Sequence, residues 1–129
     1  MSACNTTFSV ITLGSARNDA IDYRALVFRV GPGAVLDADT APSVWVLVKT
    51  LIEGGARKFV VNMNGLEFID SYGIGIFVNA AKTVRGRGGD LALAEVPPSI
   101  ARILEPINVA RFIQIFAAEQ DALDYLGGL

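Results

Sequence analysis

The sequence predicts an α/β fold: a single domain spanning residues 1–129, in which about four helices cover a mixed, mostly parallel sheet of four to five strands. The first observation behind this prediction is that apolar runs of strand type alternate with segments whose apolar residues recur at helical spacing. The second is size, because 129 residues suffice to bury one substantial core. The third is hydropathy: 52% of the residues are hydrophobic, yet the longest apolar runs, such as 44–48, are five residues long, so no membrane insertion is expected.

The first two strands are expected to pair with each other. Residues Thr6 to Leu13 alternate loosely and are rich in Thr, Val, Ile and Phe, and Ala25 to Val30 forms a second apolar run. The connection from Gly14 to Arg24 is longer than a usual hairpin loop of about two to five residues. We therefore expect this connection to be exposed and mobile.

The first helix is predicted to run from the Asp37–Thr40 region to about Glu53, where Gly54-Gly55 ends it. Pro42 fits because proline is tolerated in a first helical turn. Val46 lies on the opposite side from the apolar residues and is expected to be exposed. The predicted apolar face comprises Val44, Leu47, Val48 and Leu51, widened by Trp45 and Ile52.

The second half of the chain continues the alternation of strands and helices. A helix that connects two strands of one sheet implies that those strands pair in parallel. The predicted order is β-β-α-β-α-β-α-β-α. Its later elements are a strand from Lys58 to Met63, a helix from about Ser71 to Arg85, a strand from Asp90 to Glu95, a short helix from Pro98 to about Leu104, a strand from Phe112 to Phe116 and a helix from Glu119 to Leu126.

The composition excludes several classes of function. A net charge of −2 without a basic stripe argues against nucleic-acid binding. The chain contains no histidine, which removes the commonest general base and transition-metal ligand, so we expect no enzyme activity, no metal and no cofactor. Cys4 is the single cysteine, and residues 1–13 do not resemble a signal peptide, so a cytoplasmic protein is expected.

The segment from Phe68 to Phe77 joins a strand to a helix and is the strongest candidate site. Either Asp70 or Ser71 could cap the helix, because both side chains accept hydrogen bonds from free N–H groups of a first turn. A helix start is electropositive, so it would also tolerate a phosphate on Ser71. The simpler alternative is that Ser71 only caps the helix. Gly73 and Gly75 are predicted to allow close packing where the helix begins.

Other chemistry around this segment receives weak support. Gly73-Ile74-Gly75 begins a nucleotide-binding G-x-G-x-x-G pattern, but Val78 occupies its sixth position, and the G-x-S-x-G elbow of hydrolases is absent. Asp37 and Asp70 both follow strand-like segments, so they could converge at one end of the sheet. At that place the pair could bind a cation or shape a docking surface, although each aspartate is more simply interpreted as a helix cap.

The run from Val60 to Gly75 resembles the signature of STAS domains of the bacterial anti-sigma factor antagonist type. In that signature a strand precedes D-S-[ST]-G-[LI]-G at a helix start, and here the motif reads Asp70-Ser71-Tyr72-Gly73-Ile74-Gly75. The sequence departs from the family pattern in two places: Tyr72 stands where the family has a small hydroxyl residue, and Ala34-Val35-Leu36-Asp37 stands in place of G-E-[LI]-D. The resemblance spans roughly Ala25 to Leu126, including the Asp37 helix, the glycine-rich turn before Leu91 and the Pro98 to Leu104 segment.

The resemblance implies a non-enzymatic switch in transcription regulation. Such a protein binds an anti-sigma factor that is itself a serine kinase and so releases a sigma factor, and a serine/threonine phosphatase would reset it. Ser71 matches the serine that the kinase phosphorylates. The implied partner-binding residues are Asp37, Asp70, Tyr72, Gly73 and Gly75.

Two alternatives remain open at this stage. A STAS domain could instead bind a small ligand such as a nucleotide or lipid, or act as a scaffold, without phosphorylation; Tyr72 and the loop from Gly14 to Arg24 favour such divergence. An enzyme that uses Asp37, Asp70 and Ser71 is disfavoured by the absence of histidine.

Overall fold

Strands and helices alternate along the chain much as the sequence predicts. The structure, a computed structural model, describes residues 6–12 and 24–129. The predicted loop of residues 14–24 lies outside the described part, except for Arg24. The elements are β1 (Thr6–Thr12), β2 (Arg24–Val30), β3 (Ala34–Leu36), α1 (Ala41–Glu53), β4 (Lys58–Asn62), β5 (Leu66–Ile69), α2 (Ser71–Arg85), β6 (Asp90–Ala94), α3 (Pro98–Leu104), two 3-10 turns (Glu105–Ile107 and Val109–Arg111), β7 (Gln114–Phe116) and α4 (Glu119–Gly127).

Five of the strands form the main sheet, in the order β1-β2-β4-β6-β7. β1 runs antiparallel to β2, as expected, and the other three pairings are parallel. β4 and β6 are buried along their whole length, because helices cover both faces of the sheet, and their nearly continuous apolar sequences reflect this. The predicted mixed, mostly parallel sheet is confirmed.

A second, two-stranded sheet was not predicted. β3 and β5 pair in parallel, with Leu36 opposite Ile69, and are three and four residues long. Such short segments carry little alternation of their own, so the strand-like residues before Asp37 and Asp70 were not assigned as separate strands. This small sheet fixes the two loops that precede α1 and α2 relative to each other.

The helices divide between the two faces of the main sheet. α1, α2 and α3 contribute to the larger apolar core, and α4 packs on the other face through Ala122, Leu123 and Leu126. Val48 and Ile52 of α1 are buried as predicted, and Val46 is exposed as predicted. The expectation for Leu47 was wrong, because its side chain is 37% exposed.

A polar network joins α4 to the carboxyl ends of the central strands. The Arg29 guanidinium donates two hydrogen bonds to Glu119, at 3.0 and 2.8 Å, and the Asn62 amide donates to both Glu119 and Glu95. Glu95 has a φ of +52°, a conformation that non-glycine residues rarely adopt. The hydrogen bonds to Arg29 and Asn62 lower the pKa of Glu119 below its ordinary value, although burial opposes this shift.

The lowered pKa of Glu119 makes an acid-dependent contribution to stability. A carboxyl group of this kind stabilises the fold above its unfolded pKa and loses that contribution as the pH falls through the folded pKa. We expect Glu119→Gln to lower the melting temperature by roughly 2–6 °C at neutral pH, corresponding to about 1 kcal/mol. The difference from wild type should shrink as the pH falls to about 3, as followed by circular dichroism melts. Glu67→Gln, at an exposed position on β5, is the control, and an equal loss at both pH values would contradict the prediction.

Candidate functional site

The β3–β5 pairing places Asp37 and Asp70 side by side. Each aspartate directly follows one strand of a parallel pair, and the Asp70 N–H donates to the carbonyl oxygen of Leu36 at 3.2 Å. The two aspartates therefore lie at the same end of a pair of parallel strands, as predicted. The strands responsible are those of the small sheet.

Asp70, not Ser71, is the N-cap of α2. Its Oδ1 accepts hydrogen bonds from the N–H groups of Tyr72 and Gly73, at 2.9 and 3.1 Å, and its backbone is extended. Ser71 is the first residue of the helix and its side chain is exposed. The alternative that Ser71 only caps the helix was therefore wrong. The Ser71 hydroxyl stands at the electropositive start of a helix of 15 residues.

Asp37 organises the turn that leads into α1. Its Oδ1 accepts hydrogen bonds from the N–H groups of Asp39 and Thr40, at 2.9 and 3.2 Å. The Thr40 hydroxyl donates to the carbonyl oxygen of Val35 at 2.9 Å, which ties the turn to β3. The interpretation of Asp37 as the helix cap needs correction, because Thr40 occupies the N-cap position and no side chain caps this helix.

The two glycines of α2 differ in their surroundings. A Cβ built on Gly73 would lie 2.3 Å from the carbonyl oxygen of Leu36, so β3 passes too close to the helix for any side chain there. A Cβ on Gly75 would meet no atom within 4 Å. The predicted steric role is confirmed for Gly73 and wrong for Gly75.

A groove separates the starts of α1 and α2, with a volume of about 420 Å³. Tyr72, whose side chain is 67% exposed, lies on this groove, and the partly buried Trp45 contributes to it from α1. The sequence favoured a core position for Trp45 over a contact surface, and its place at the edge of the apolar face was the available signal for a second role. The lining residues are Ala38, Ala41, Pro42, Trp45, Ser71, Tyr72, Gly75, Ile76 and Asn79.

The electrostatics of this region are negative. Asp70 precedes Ser71, and Asp37 and Asp39 belong to the turn after β3, the strand that pairs with β5, while none of the described residues that line the groove carries a charge. Within residues 6–12 and 24–129, no group of three or more His, Cys, Asp or Glu side chains is placed to hold a metal ion.

Chemically, the arrangement presents the Ser71 hydroxyl at an exposed helix start. The chain contains no histidine, so Ser71 cannot be activated by an imidazole as in Ser-His-Asp catalysis. A mostly apolar groove lies beside it. Fold and site together define a class of small α/β domains that present a serine at an exposed helix start, beside a groove.

This class has a known family: the STAS domain model matches residues 18–122, and the chain belongs to the STAS domain family, as its motif suggested. A Thermotoga neapolitana protein provisionally named an anti-sigma factor antagonist is 31% identical over 84 residues, which cover 65% of this chain and 74% of that protein. The anti-sigma F factor antagonist of Paenibacillus polymyxa is 30% identical over 70 residues, covering 54% of this chain and 60% of that protein.

The solved structures agree with this assignment. A crystal structure of a Thermotoga maritima protein, also provisionally named an anti-sigma factor antagonist, matches with a TM-score of 0.70 at 25% identity. The match covers 78% of this chain and 86% of that chain. Of the helices in the described ranges, none is both long and apolar enough to cross a membrane.

Proposed function

We propose that this protein is an anti-sigma factor antagonist that acts by binding an anti-sigma factor through the surface around Ser71. The observation that carries the proposal is the exposed Ser71 at the start of α2, beside an apolar groove and held in place by the Asp70 cap. The names of the relatives from Thermotoga neapolitana and Paenibacillus polymyxa support it. The remaining partner-binding residues in the proposal are Asp37, Tyr72, Gly73 and Gly75, with Gly73 acting through the position of the helix.

The switch that we propose is phosphorylation of Ser71 by the anti-sigma factor, acting as a serine kinase in the cytoplasm. The helix start stabilises a phosphate through its free N–H groups and macrodipole, so the modified chain should stay folded. The phosphate also adds about −1.5 to −2 charges beside Asp37 and Asp70, which opposes docking. A serine/threonine phosphatase would restore the binding form.

The phosphorylation site can be tested directly. After incubation with ATP and the partner kinase, we expect the intact mass to rise by one phosphate and the phosphopeptide to map to Ser71. Ser71→Ala should take up no phosphate. Ser99→Ala is the matched control, because Ser99 is also an exposed serine in the first turn of a helix, and it should be labelled like wild type. Full labelling of Ser71→Ala, or a phosphate on Tyr72, would refute the site.

A small-ligand role is the second candidate, and the groove of about 420 Å³ is the observation that favours it. Trp45 lines this groove and is the single tryptophan, so its fluorescence reports occupancy directly. ATP or GTP that changes this fluorescence saturably, with no kinase present, would support the ligand role. An unchanged signal alongside labelling by the kinase would support the switch.

A further inference from the structure

β7 is an edge strand of the main sheet, because among the described strands it pairs with β6 alone. The N–H of Glu95 donates to the carbonyl oxygen of Phe116 at 3.1 Å, so Phe116 directs its backbone groups toward β6. Because backbone groups alternate in direction along a strand, the N–H and C=O of Ile115 point outward. An outer strand of this kind is a template for pairing with another segment.

An apolar groove of about 280 Å³ adjoins this edge. The Ile115 side chain, 40% exposed, contributes to its wall, and Ala101 and Leu104 of α3 contribute from the other side. Among the described residues that line it, Glu105 alone carries a charge. Ile107 and Phe112 are 40% and 42% exposed and lie with Ile115 within residues 107–115. Large exposed apolar side chains are therefore concentrated in this segment.

A second groove, which contains two arginines, meets the same strand at Gln114. It is lined by Arg85 and Arg111 and shares Ala110 with the apolar groove. Arg85 is neutralised by Asp90, which it contacts at 2.8 Å and which also accepts a hydrogen bond from the Tyr125 hydroxyl. Arg111 forms no ion pair with any described residue.

Lys82 adds a second positive charge at this edge. Its Nζ lies 5.6 Å from the centre of the exposed Phe112 ring, a cation–π contact that leaves the ammonium on the surface. The sheet edge therefore combines outward-directed backbone groups, an apolar groove and positive charge.

We propose that β7 is a docking edge for an extended, acidic segment of another protein, which adds to the main sheet as a sixth strand. The segment would pair with the outward N–H and C=O of Ile115, insert an apolar side chain between α3 and Ile115, and place a carboxylate on Arg111. This site is separate from Ser71 and does not depend on the function proposed for it.

The features of the edge favour a protein segment over a lipid surface. Lipid tails cannot satisfy the outward backbone groups of Ile115, whereas an added strand can. The concave apolar groove also has room for one side chain or a few, and membrane surfaces do not fill concave sites in this way. Positive charge at Arg111 and Lys82 then selects acidic segments.

The probes for the test are ten-residue peptides in which Leu, Val or Phe alternates with Thr between flanking glutamates. We expect at least one to bind the full chain by fluorescence anisotropy, at least tenfold more tightly than its lysine-flanked counterpart. Amide NMR shifts should centre on Ile115. Ala101→Glu, at an exposed position in the groove wall, should abolish binding, and Arg111→Glu should remove the preference for glutamate. Lys49→Glu, on the exposed surface of α1, should change neither result.

Several outcomes would overturn the proposal. They are no binding of any peptide at millimolar concentration, equal binding of acidic and basic peptides, or undiminished binding when a central proline interrupts the strand. Co-sedimentation with phosphatidylserine vesicles in place of peptide binding would assign the edge to a lipid surface. A dimer that Ala101→Glu dissociates, without peptide binding, would assign it to a second copy of this chain.

Discussion

Ser71→Asp should bind the partner anti-sigma factor at least tenfold more weakly than wild type, a loss of about 1.4 kcal/mol or more. The added carboxylate would stand beside Asp37 and Asp70, on the rim of a groove whose lining carries no compensating charge. Docking a partner there must remove water from this third negative charge, and like-charge contacts across an interface cost up to several kcal/mol. One carboxylate carries less charge than a phosphate, so phosphorylation itself should have the larger effect.

The same substitution should leave the fold unchanged. Asp70 already caps α2, so neither Ser71→Asp nor Ser71→Ala removes a capping hydrogen bond. An acidic residue in the first turn contributes about 0.3–1 kcal/mol of stability, so the Ser71→Asp melt should equal or slightly exceed that of wild type.

Titration calorimetry against the anti-sigma factor measures the binding effect. Ser71→Ala should bind like wild type, and its affinity should not fall when ATP is added, because it lacks the hydroxyl that the kinase would phosphorylate. Ser43→Asp, at an exposed position on α1, adds the same charge outside the groove lining and is the control. Equal affinity of Ser71→Asp and Ser71→Ala would show that Ser71 is not the switch.

Gly73→Ala should destabilise the fold by about 2 kcal/mol or more, although alanine is the better helix former by about 1 kcal/mol. The new methyl group would meet the carbonyl oxygen of Leu36 at 2.3 Å. That oxygen belongs to the backbone of β3 and accepts the N–H of Asp70, so it cannot move without disturbing the start of α2.

Gly75→Ala is the matched control for this prediction, in the same helix and two residues away. Its Cβ would meet no atom within 4 Å, so the helix propensity of alanine should raise stability by up to about 1 kcal/mol. Urea unfolding measures both changes. If the two variants lose equal stability, the close approach of β3 to α2 is not what requires glycine at position 73.

The sequence predicted the main sheet and its helices well because these elements carry strong periodic signals. The buried strands β4 and β6 are nearly continuous apolar runs, and α2 has apolar residues at helical spacing. The small β3–β5 sheet escaped prediction because its strands are held by pairing with each other, a contact between segments about 30 residues apart in sequence.

The candidate site was predicted in part. The motif located Ser71, but only the structure distinguishes Asp70 as the cap, since both side chains have the required chemistry. The groove between α1 and α2 depends on how two helices pack, which the composition of either helix does not specify. The different surroundings of Gly73 and Gly75 likewise depend on the path of β3.

The β3–β5 pair also determines how this domain can be re-engineered. Residues 33–41 and 65–76 are joined by the hydrogen bond from the Gly33 N–H to the Gly65 carbonyl oxygen, by the strand pairing and by the contact of Gly73 with β3. A chimera that exchanges only the serine motif with another family member would combine a helix start and a β3 backbone that were not selected together. To transfer partner specificity, both segments should therefore be exchanged together, although they are separate in sequence.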